Sequence, residues 1–127
     1  MKNMTKTIIG ALLLGAFNYA NADVVQVWEC TLHDGKTGAE LEKVSSAWLA
    51  AAKGMKGGSE LKVYHEMPLA ANAGEGGFNF VLTAPDAAIW GTFWNGYGGS
   101  AASKADEDWD NVADCSGSSL WNSAEVK

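Results

Sequence analysis

The short segment Leu61 to Met67 (LKVYHEM) carries the residue best suited to proton transfer or metal ligation. The imidazole of His65 is able to act as a base near neutral pH or to ligate haem iron. Tyr64 and Glu66 flank it on the opposite face of the predicted strand. Because a histidine that shares a face with apolar side chains is more often a hydrogen-bonded core residue, we keep both interpretations of His65. No other catalytic residue is assigned. His33 precedes a turn and is expected to be exposed.

A second group consists of aromatic residues at helical spacing. Trp90, Trp94 and Tyr97 recur at intervals of four and three, which places them on one helix face. Such a face usually packs into the core. Three large rings beside the glycine-rich segment 95–99 also favour a cavity between helix and sheet. We therefore predict that a small apolar or aromatic ligand binds there, contacted by these three residues and by Tyr64 and His65.

Four acidic residues near the end of the chain invite a calcium interpretation. Asp106, Asp108 and Asp110 have the alternate spacing of an EF-hand loop, but the required glycine and final glutamate are replaced by Asn111 and Gly117. We interpret the acidic residues as the N-terminus of a helix, where negative charge is favourable. Two isolated histidines and two cysteines cannot form a zinc cluster, so no metal site is predicted.

The composition excludes several classes of partner and reaction. The chain has 127 residues, with 9 Lys+Arg against 15 Asp+Glu, and all nine basic residues are lysine. This length and a hydrophobic content of 47% indicate one globular domain. An acidic chain without arginine argues against nucleic acid and anionic membranes as partners. It also lacks the bidentate clamp that usually holds anionic substrates, which disfavours catalysis.

Residues 1–22 have the pattern of a cleavable export signal. Lys2 and Lys6 precede an apolar run from Ile8 to Phe17, which is too short for the ~20 residues of a membrane span. The small residues of the segment 20–22 then predict cleavage before Asp23. A retained membrane anchor is the alternative. We expect a periplasmic or secreted protein that consists of a single domain, residues 23–127, without membrane attachment after cleavage.

The two cysteines, Cys30 and Cys115, both lie in the predicted mature chain. An exported protein matures in an oxidising compartment, where an even number of cysteines usually forms disulfides, and only one pairing exists here. A reactive thiol pair is the alternative, but the chain has no Cys-x-x-Cys spacing. We predict a structural disulfide.

Periodicity and turn signals give the order strand, helix, strand, strand, helix, strand. The predicted segments are strand 24–32, a helix from the capping box at Thr37 to Lys53, strands 61–67 and 78–83, a helix from Pro85 to Tyr97, a further helix capped by Ser103, and strand 120–126. This order predicts an α+β ferredoxin-like sandwich, βαββαβ, in which a four-stranded antiparallel sheet carries its helices on one face. The first and last strands are neighbours in that plan, which agrees with the predicted disulfide.

The whole mature length resembles a family of exported proteins from marine proteobacteria. The matching segments run from Trp28 to Thr37, from Pro85 to Phe93 (PDAAIWGTF) and from Trp109 to Ser123. This resemblance implies no activity. More distantly, the layout is similar to dimeric α/β-barrel proteins, a superfamily that includes antibiotic-biosynthesis-type monooxygenases and haem-degrading enzymes.

The superfamily resemblance implies a homodimer in which two sheets pack face to face, with ligand cavities between helix and sheet. The residues give independent support, because helices cover only one sheet face while Val25, Val27 and Val81 are predicted on the other. We rank first a non-enzymatic exported module that dimerises and binds a small apolar ligand without a cofactor. A cofactor-independent or haem-linked monooxygenase using His65 is the alternative, and a structural protein without ligand is the third hypothesis.

Overall fold

The computed structural model describes residues 23–69 and 75–126 of the chain. The predicted export signal, residues 1–22, lies outside the described residues. So do residues 70–74 and residue 127. Within the described ranges, no helix combines the length and the apolar character that crossing a membrane requires.

The described chain forms four strands and three helices. In chain order these are β1 (Asp23–Leu32), α1 (Gly38–Lys53), β2 (Lys62–Glu66), β3 (Gly77–Ala84), α2 (Ala87–Asn95), α3 (Ala101–Asp110) and β4 (Ala113–Ser123). The strands form one antiparallel sheet in the order β2-β3-β1-β4. The first and last strands are neighbours, so the predicted ferredoxin-like α+β class is confirmed. The second half contains the two predicted helices, α2 and α3, although the six-element order counts only one there.

Helix α1 begins as the capping box predicts. The Thr37 hydroxyl accepts a hydrogen bond from the Glu40 backbone N–H at 3.3 Å, and the Glu40 carboxylate accepts one from the Thr37 N–H at 2.9 Å. These reciprocal bonds satisfy two N–H groups that have no partner within the helix. They also lower the pKa of Glu40, with the backbone N–H of Thr37 as the largest cause.

The start of α3 differs from the prediction. Ser100 caps this helix by accepting a hydrogen bond from the Ser103 N–H at 3.1 Å, so the prediction that Ser103 is the cap is wrong. The acidic residues Asp106 and Asp110 consequently lie in the second half of α3, and its first turn contains no acidic residue. The helix-dipole explanation for their charge is therefore also wrong.

Strand β4 begins seven residues earlier than predicted, at Ala113. The segment Ser116-Gly117-Ser118 lies within it and does not separate a helix from a strand. The pairing of β1 with β4 shifts register between Glu29 and Cys30, which indicates a β-bulge that absorbs an extra residue. Sequence composition alone made this polar, glycine-containing stretch look like a turn.

The predicted disulfide between Cys30 and Cys115 is present. Its cysteines are cross-strand partners in β1 and β4, directly beside the β-bulge. Cys30 is buried, and Cys115 lies on the exposed edge strand. The bond therefore fixes the edge strand to the centre of the sheet.

The main core lies between the sheet and its helices. Side chains from the helix-facing side of the sheet pack against α1, α2 and α3. The fully buried residues of this core include Leu41 on α1, Leu61 just before β2, Leu82 on β3 and Phe93 on α2. A glycine permits α2 to approach the end of α1 closely. Gly57 has φ +80°, and an added Cβ would lie 2.8 Å from the Phe93 backbone nitrogen, so another residue would displace α2.

The other sheet face, called here the outer face, carries a smaller apolar group. Val25, Val27 and Val81 lie on it, and Val81 is 3% exposed while the other two are half-buried. Tyr64 and Trp121 border this group and are 49% and 62% exposed. A second layer on the outer face would therefore mainly cover the exposed Tyr64 and Trp121 rings, because the valines are already buried or half-buried.

Candidate functional site

A cavity of about 480 Å³ opens between the helices and the helix-facing side of the sheet. Six aromatic residues, three carboxylates and the disulfide-bonded Cys115 form its wall. We call it the aromatic cavity; its lining residues are Trp28, Trp48, Phe80, Trp94, Tyr97, Asp106, Trp109, Asp110, Asp114 and Cys115. Six of the seven segments that supply them are secondary-structure elements; Tyr97 lies in the turn after α2.

The sheet supplies the floor of the aromatic cavity. Trp28 on β1 and Phe80 on β3 are direct cross-strand partners, with ring centroids 5.7 Å apart. Both side chains point to the helices because they occupy the inward positions of the alternating strands. Trp94 from α2 stands over Trp28 at a centroid distance of 6.0 Å and an interplanar angle of 54°. Neighbouring rings are thus tilted and do not stack.

A hydrogen-bond chain links α1 to α3 across this cavity. The Trp48 Nε1–H donates to the Tyr97 hydroxyl at 2.8 Å, and that hydroxyl donates to the Asp106 carboxylate. Burial raises the pKa of Tyr97, and the neighbouring Asp106 adds to this effect. Burial also raises the pKa of Asp106; the charge of Asp110 acts in the same direction, and the Tyr97 hydrogen bond opposes it. Burial therefore disfavours the charged form of the Asp106 carboxyl group.

The two other carboxylates stand nearer to solvent. Asp110 lies one turn after Asp106 on α3, and Asp114 is the second residue of β4. Both are exposed, so they form the rim of the cavity, while the half-buried Asp106 and the buried or half-buried rings form its interior. Asp114 Oδ2 lies 2.9 Å from His33 Nε2, which places the predicted exposed histidine beside this rim.

One polar group in the wall has no partner. The Trp94 Nε1–H is buried and makes no hydrogen bond within the described residues. An unpaired buried donor costs about 1–3 kcal/mol, so native proteins rarely leave one without a partner.

His65 lies in a different place. Its Nε2 is 2.9 Å from the hydroxyl of Ser45, which also accepts a hydrogen bond from the Trp109 Nε1–H at 3.0 Å. Since Ser45 is 4% exposed, these two bonds form a buried link between α1, β2 and α3. Burial lowers the pKa of His65, against the opposing charge of Glu42, so the neutral ring is favoured. His65 borders a separate groove of about 490 Å³ with residues of α1 and does not line the aromatic cavity.

Haem does not fit the residues of the aromatic cavity. The Nε2 atoms of both histidines of the chain already have partners, Ser45 and Asp114. Haem also carries two carboxylates, which the acidic rim would repel, and no lysine lines the cavity. Within residues 23–69 and 75–126, no three ionisable or thiol side chains are grouped so that they could hold a metal ion.

The structure brings together two of the five residues predicted to bind a ligand. Trp94 and Tyr97 line the aromatic cavity. Trp90 lies beside Trp94, but its Nε1–H donates to the Gln26 side chain at 2.9 Å and it is not part of the lining. Tyr64 lies on the outer face, and His65 borders the other groove.

Sequence reasoning missed most of the wall. The residues not named as ligand contacts are Trp28, Trp48, Phe80, Trp109, Cys115 and the three carboxylates. The signal was present for two of them, since Trp28 shares a strand face with Cys30 and Trp48 belongs to the apolar stripe of α1. Combined with the ferredoxin-like plan, both are directed at the helix–sheet interface. Asp106 and Asp110 were interpreted as part of a helix N-terminus, because the predicted start of α3 lies three residues too late.

Comparison with known proteins confirms the fold. No protein-family model and no curated protein matches the chain. Among solved structures, it is similar to SnoaB, a cofactor-independent oxygenase from Streptomyces nogalater. The TM-score is 0.54 and the sequence identity 12%, over 83% of this chain and 96% of SnoaB. At this identity the likeness shows the ferredoxin-like fold alone. The resemblance to exported marine proteobacterial proteins gains no support from these comparisons.

Proposed function

We propose that this protein binds a small organic molecule in the aromatic cavity. The observation that carries the proposal is a wall of six aromatic side chains around about 480 Å³. Ligand sites in proteins usually enclose about 300–1,000 Å³, with mostly apolar walls and a few convergent polar groups. The three carboxylates supply such polar groups here.

Binding of the neutral aromatic dye N-phenyl-1-naphthylamine tests this proposal. Its emission rises in apolar surroundings, and tryptophan fluorescence is transferred to it when the two are close. We expect saturable binding with transfer from the cavity tryptophans. Trp94→Ala should weaken binding at least fivefold, while Trp121→Ala, on the outer face, serves as the matched control and leaves the affinity unchanged. Equal effects of the two substitutions, or no saturable binding, would contradict the proposal.

The oxygenase alternative has one supporting observation, the fold shared with SnoaB. Within this chain the proposed base is not in place, because His65 borders a different groove from the aromatic cavity. The Nε2 atom of the neutral His65 ring is also hydrogen-bonded to the Ser45 hydroxyl. These two facts favour ligand binding over oxygenation as the first hypothesis. Consumption of molecular oxygen with a ligand in the cavity would reverse this order.

We further propose that two copies of the chain pair through their outer faces. Tyr64 and Trp121 are exposed there beside Val25 and Val27, and a second sheet would cover all four. Native mass spectrometry should show a dimer, which Tyr64→Glu disrupts. Leu69→Glu adds the same charge at a fully exposed position off the sheet and should leave the dimer intact. A monomeric unmodified protein would refute this proposal.

Export to an oxidising compartment is likewise proposed. The Cys30–Cys115 bond supports it, because such bonds persist mainly outside the reducing cytosol. Expression of the full chain in a bacterium should give a periplasmic protein that begins at Asp23. An intact mass that retains residues 1–22 would contradict the predicted cleavage.

A further inference from the structure

We infer that the ligand of the aromatic cavity is an organic cation, an amine or quaternary ammonium compound with an apolar body. This inference rests on the proposed binding function and adds the charge of the ligand. Two independent features of the wall support it: the sign of its charged groups and the type of its aromatic rings.

All charged residues of the wall are acidic. Asp106, Asp110 and Asp114 line the cavity, and none of the lining residues is basic. Asp114 has His33 as a partner, whereas neither Asp106 nor Asp110 forms an ion pair with any residue in the described ranges. The cavity therefore has a negative rim with two carboxylates that no cation of the protein neutralises. An anionic ligand would be repelled, and a cationic ligand would supply the missing counter-charge.

The aromatic residues provide the second feature. Four of the six rings are tryptophans, whose faces attract cations more strongly than those of Tyr or Phe. The planes of neighbouring rings are tilted, since Trp48 lies at 87° to Phe80 and at 46° to Tyr97. Tilted rings around a common space are the arrangement in which proteins hold ammonium groups. Aromatic rings that served only as packing in the core would not require carboxylates beside them.

A bare metal ion fits this site poorly. No three acidic, histidine or cysteine side chains in the described part of the chain are grouped closely enough to coordinate one. Asp110 and Asp114 lie at the rim, and the half-buried Asp106 lies beside the Tyr97 ring, so a cation with an apolar body contacts both carboxylates and rings.

The charge of the ligand is tested with two probes of the same shape. Choline and 3,3-dimethylbutan-1-ol differ only in a quaternary nitrogen that replaces a quaternary carbon, and both carry a hydroxyl. Isothermal titration calorimetry at low salt should show choline binding at least tenfold more tightly. The preference should shrink as salt is added, because the rim carboxylates are partly exposed to solvent.

Matched variants locate the effect. Asp106→Asn keeps an oxygen that accepts the Tyr97 hydrogen bond and removes the charge, so we expect it to reduce the choline preference at least fivefold. Asp110→Asn, at an exposed position, should act in the same direction and provides a variant whose folding is not at risk. Asp108→Asn removes an equal charge from the same helix outside the cavity wall and should change the preference less than twofold.

The outcomes separate the two proposals. Equal affinity for both probes, or tighter binding of the neutral alcohol, would overturn the cationic inference and leave the proposed binding function standing. Failure of choline to bind while the naphthylamine dye binds would have the same meaning. If neither choline, the alcohol nor the dye binds, both proposals fall.

Discussion

Ser45 offers a stringent test of the packing between α1, β2 and α3, because one buried hydroxyl serves two rings. Its oxygen accepts from the Trp109 Nε1–H at 3.0 Å and lies 2.9 Å from His65 Nε2. Ser45→Ala removes this oxygen and leaves both nitrogen atoms without a protein partner. The substitution adds no steric strain, since alanine is the smaller residue and a better helix former.

The expected cost follows from the burial of each ring. Trp109 is buried, so its unpaired N–H costs about 1–3 kcal/mol. His65 is half-buried, and its Nε2 regains part of its loss by contact with water. The helix propensity of alanine returns about 0.5 kcal/mol. We therefore expect the free energy of unfolding to fall by about 2 kcal/mol, which lowers Tm by about 10 °C in a domain of this size.

Urea unfolding followed by tryptophan fluorescence measures this change. Ser46→Ala is the matched control, because Ser46 is the next residue of the same helix and is exposed. The control should leave the free energy of unfolding within about 0.5 kcal/mol of the unmodified protein. If Ser45→Ala and Ser46→Ala have the same small effect, the buried link between the three elements does not exist as described.

Three further predictions concern the disulfide, the helix cap and the buried histidine. Replacing Cys30 and Cys115 together by serine opens a covalent loop spanning 85 positions and should lower the free energy of unfolding by about 4–5 kcal/mol, with little change in far-ultraviolet circular dichroism at low temperature; retained stability would contradict a structural role. Thr37→Ala removes one half of the capping box and should cost about 1 kcal/mol, measured by thermal unfolding, whereas a neutral effect would show that α1 does not depend on its cap. The lowered pKa of His65 means that the unfolded chain, with an imidazole pKa near 6.5, binds the proton more readily than the folded one. The free energy of unfolding should therefore rise as the pH increases from the lowered pKa of folded His65 to the unfolded value near 6.5, and it should fall on acidification. His65→Gln should reduce this dependence of stability on pH; an unchanged dependence would show that His65 is not the buried titrating group.

The architecture was accessible from the sequence because its signals are local. The capping box at Thr37, the alternation of β1 and β3, and the pairing of Cys30 with Cys115 each depend on neighbouring residues or on a single possible partner. The start of β4 was not accessible, because Ser116-Gly117-Ser118 has turn-like composition and is held in the sheet by pairing with β1. Tertiary contacts decided that segment against its local preference.

The candidate site could be predicted only in part from the sequence, because its lining residues come from both the sheet and the helices. The helical spacing of Trp94 and Tyr97 predicts that they lie close together. Trp28 and Phe80, in contrast, become neighbours only through the register of β1 and β3. Asp106 joins them because Ser100 sets the start of α3, which fixes where each later residue of that helix lies. Placing the cap of α3 at Ser103 and not at Ser100 was enough to prevent the prediction of the acidic rim.

The central claim, that the aromatic cavity binds a small organic ligand, is tested most directly by the indole N–H signals of the protein. Nitrogen–proton correlation spectra report each tryptophan separately during a titration with N-phenyl-1-naphthylamine. The account predicts large, saturable shifts for the four tryptophans that line the cavity, Trp28, Trp48, Trp94 and Trp109, and none for Trp121 on the outer face. Shifts confined to Trp121, or no shift at any indole, would contradict it.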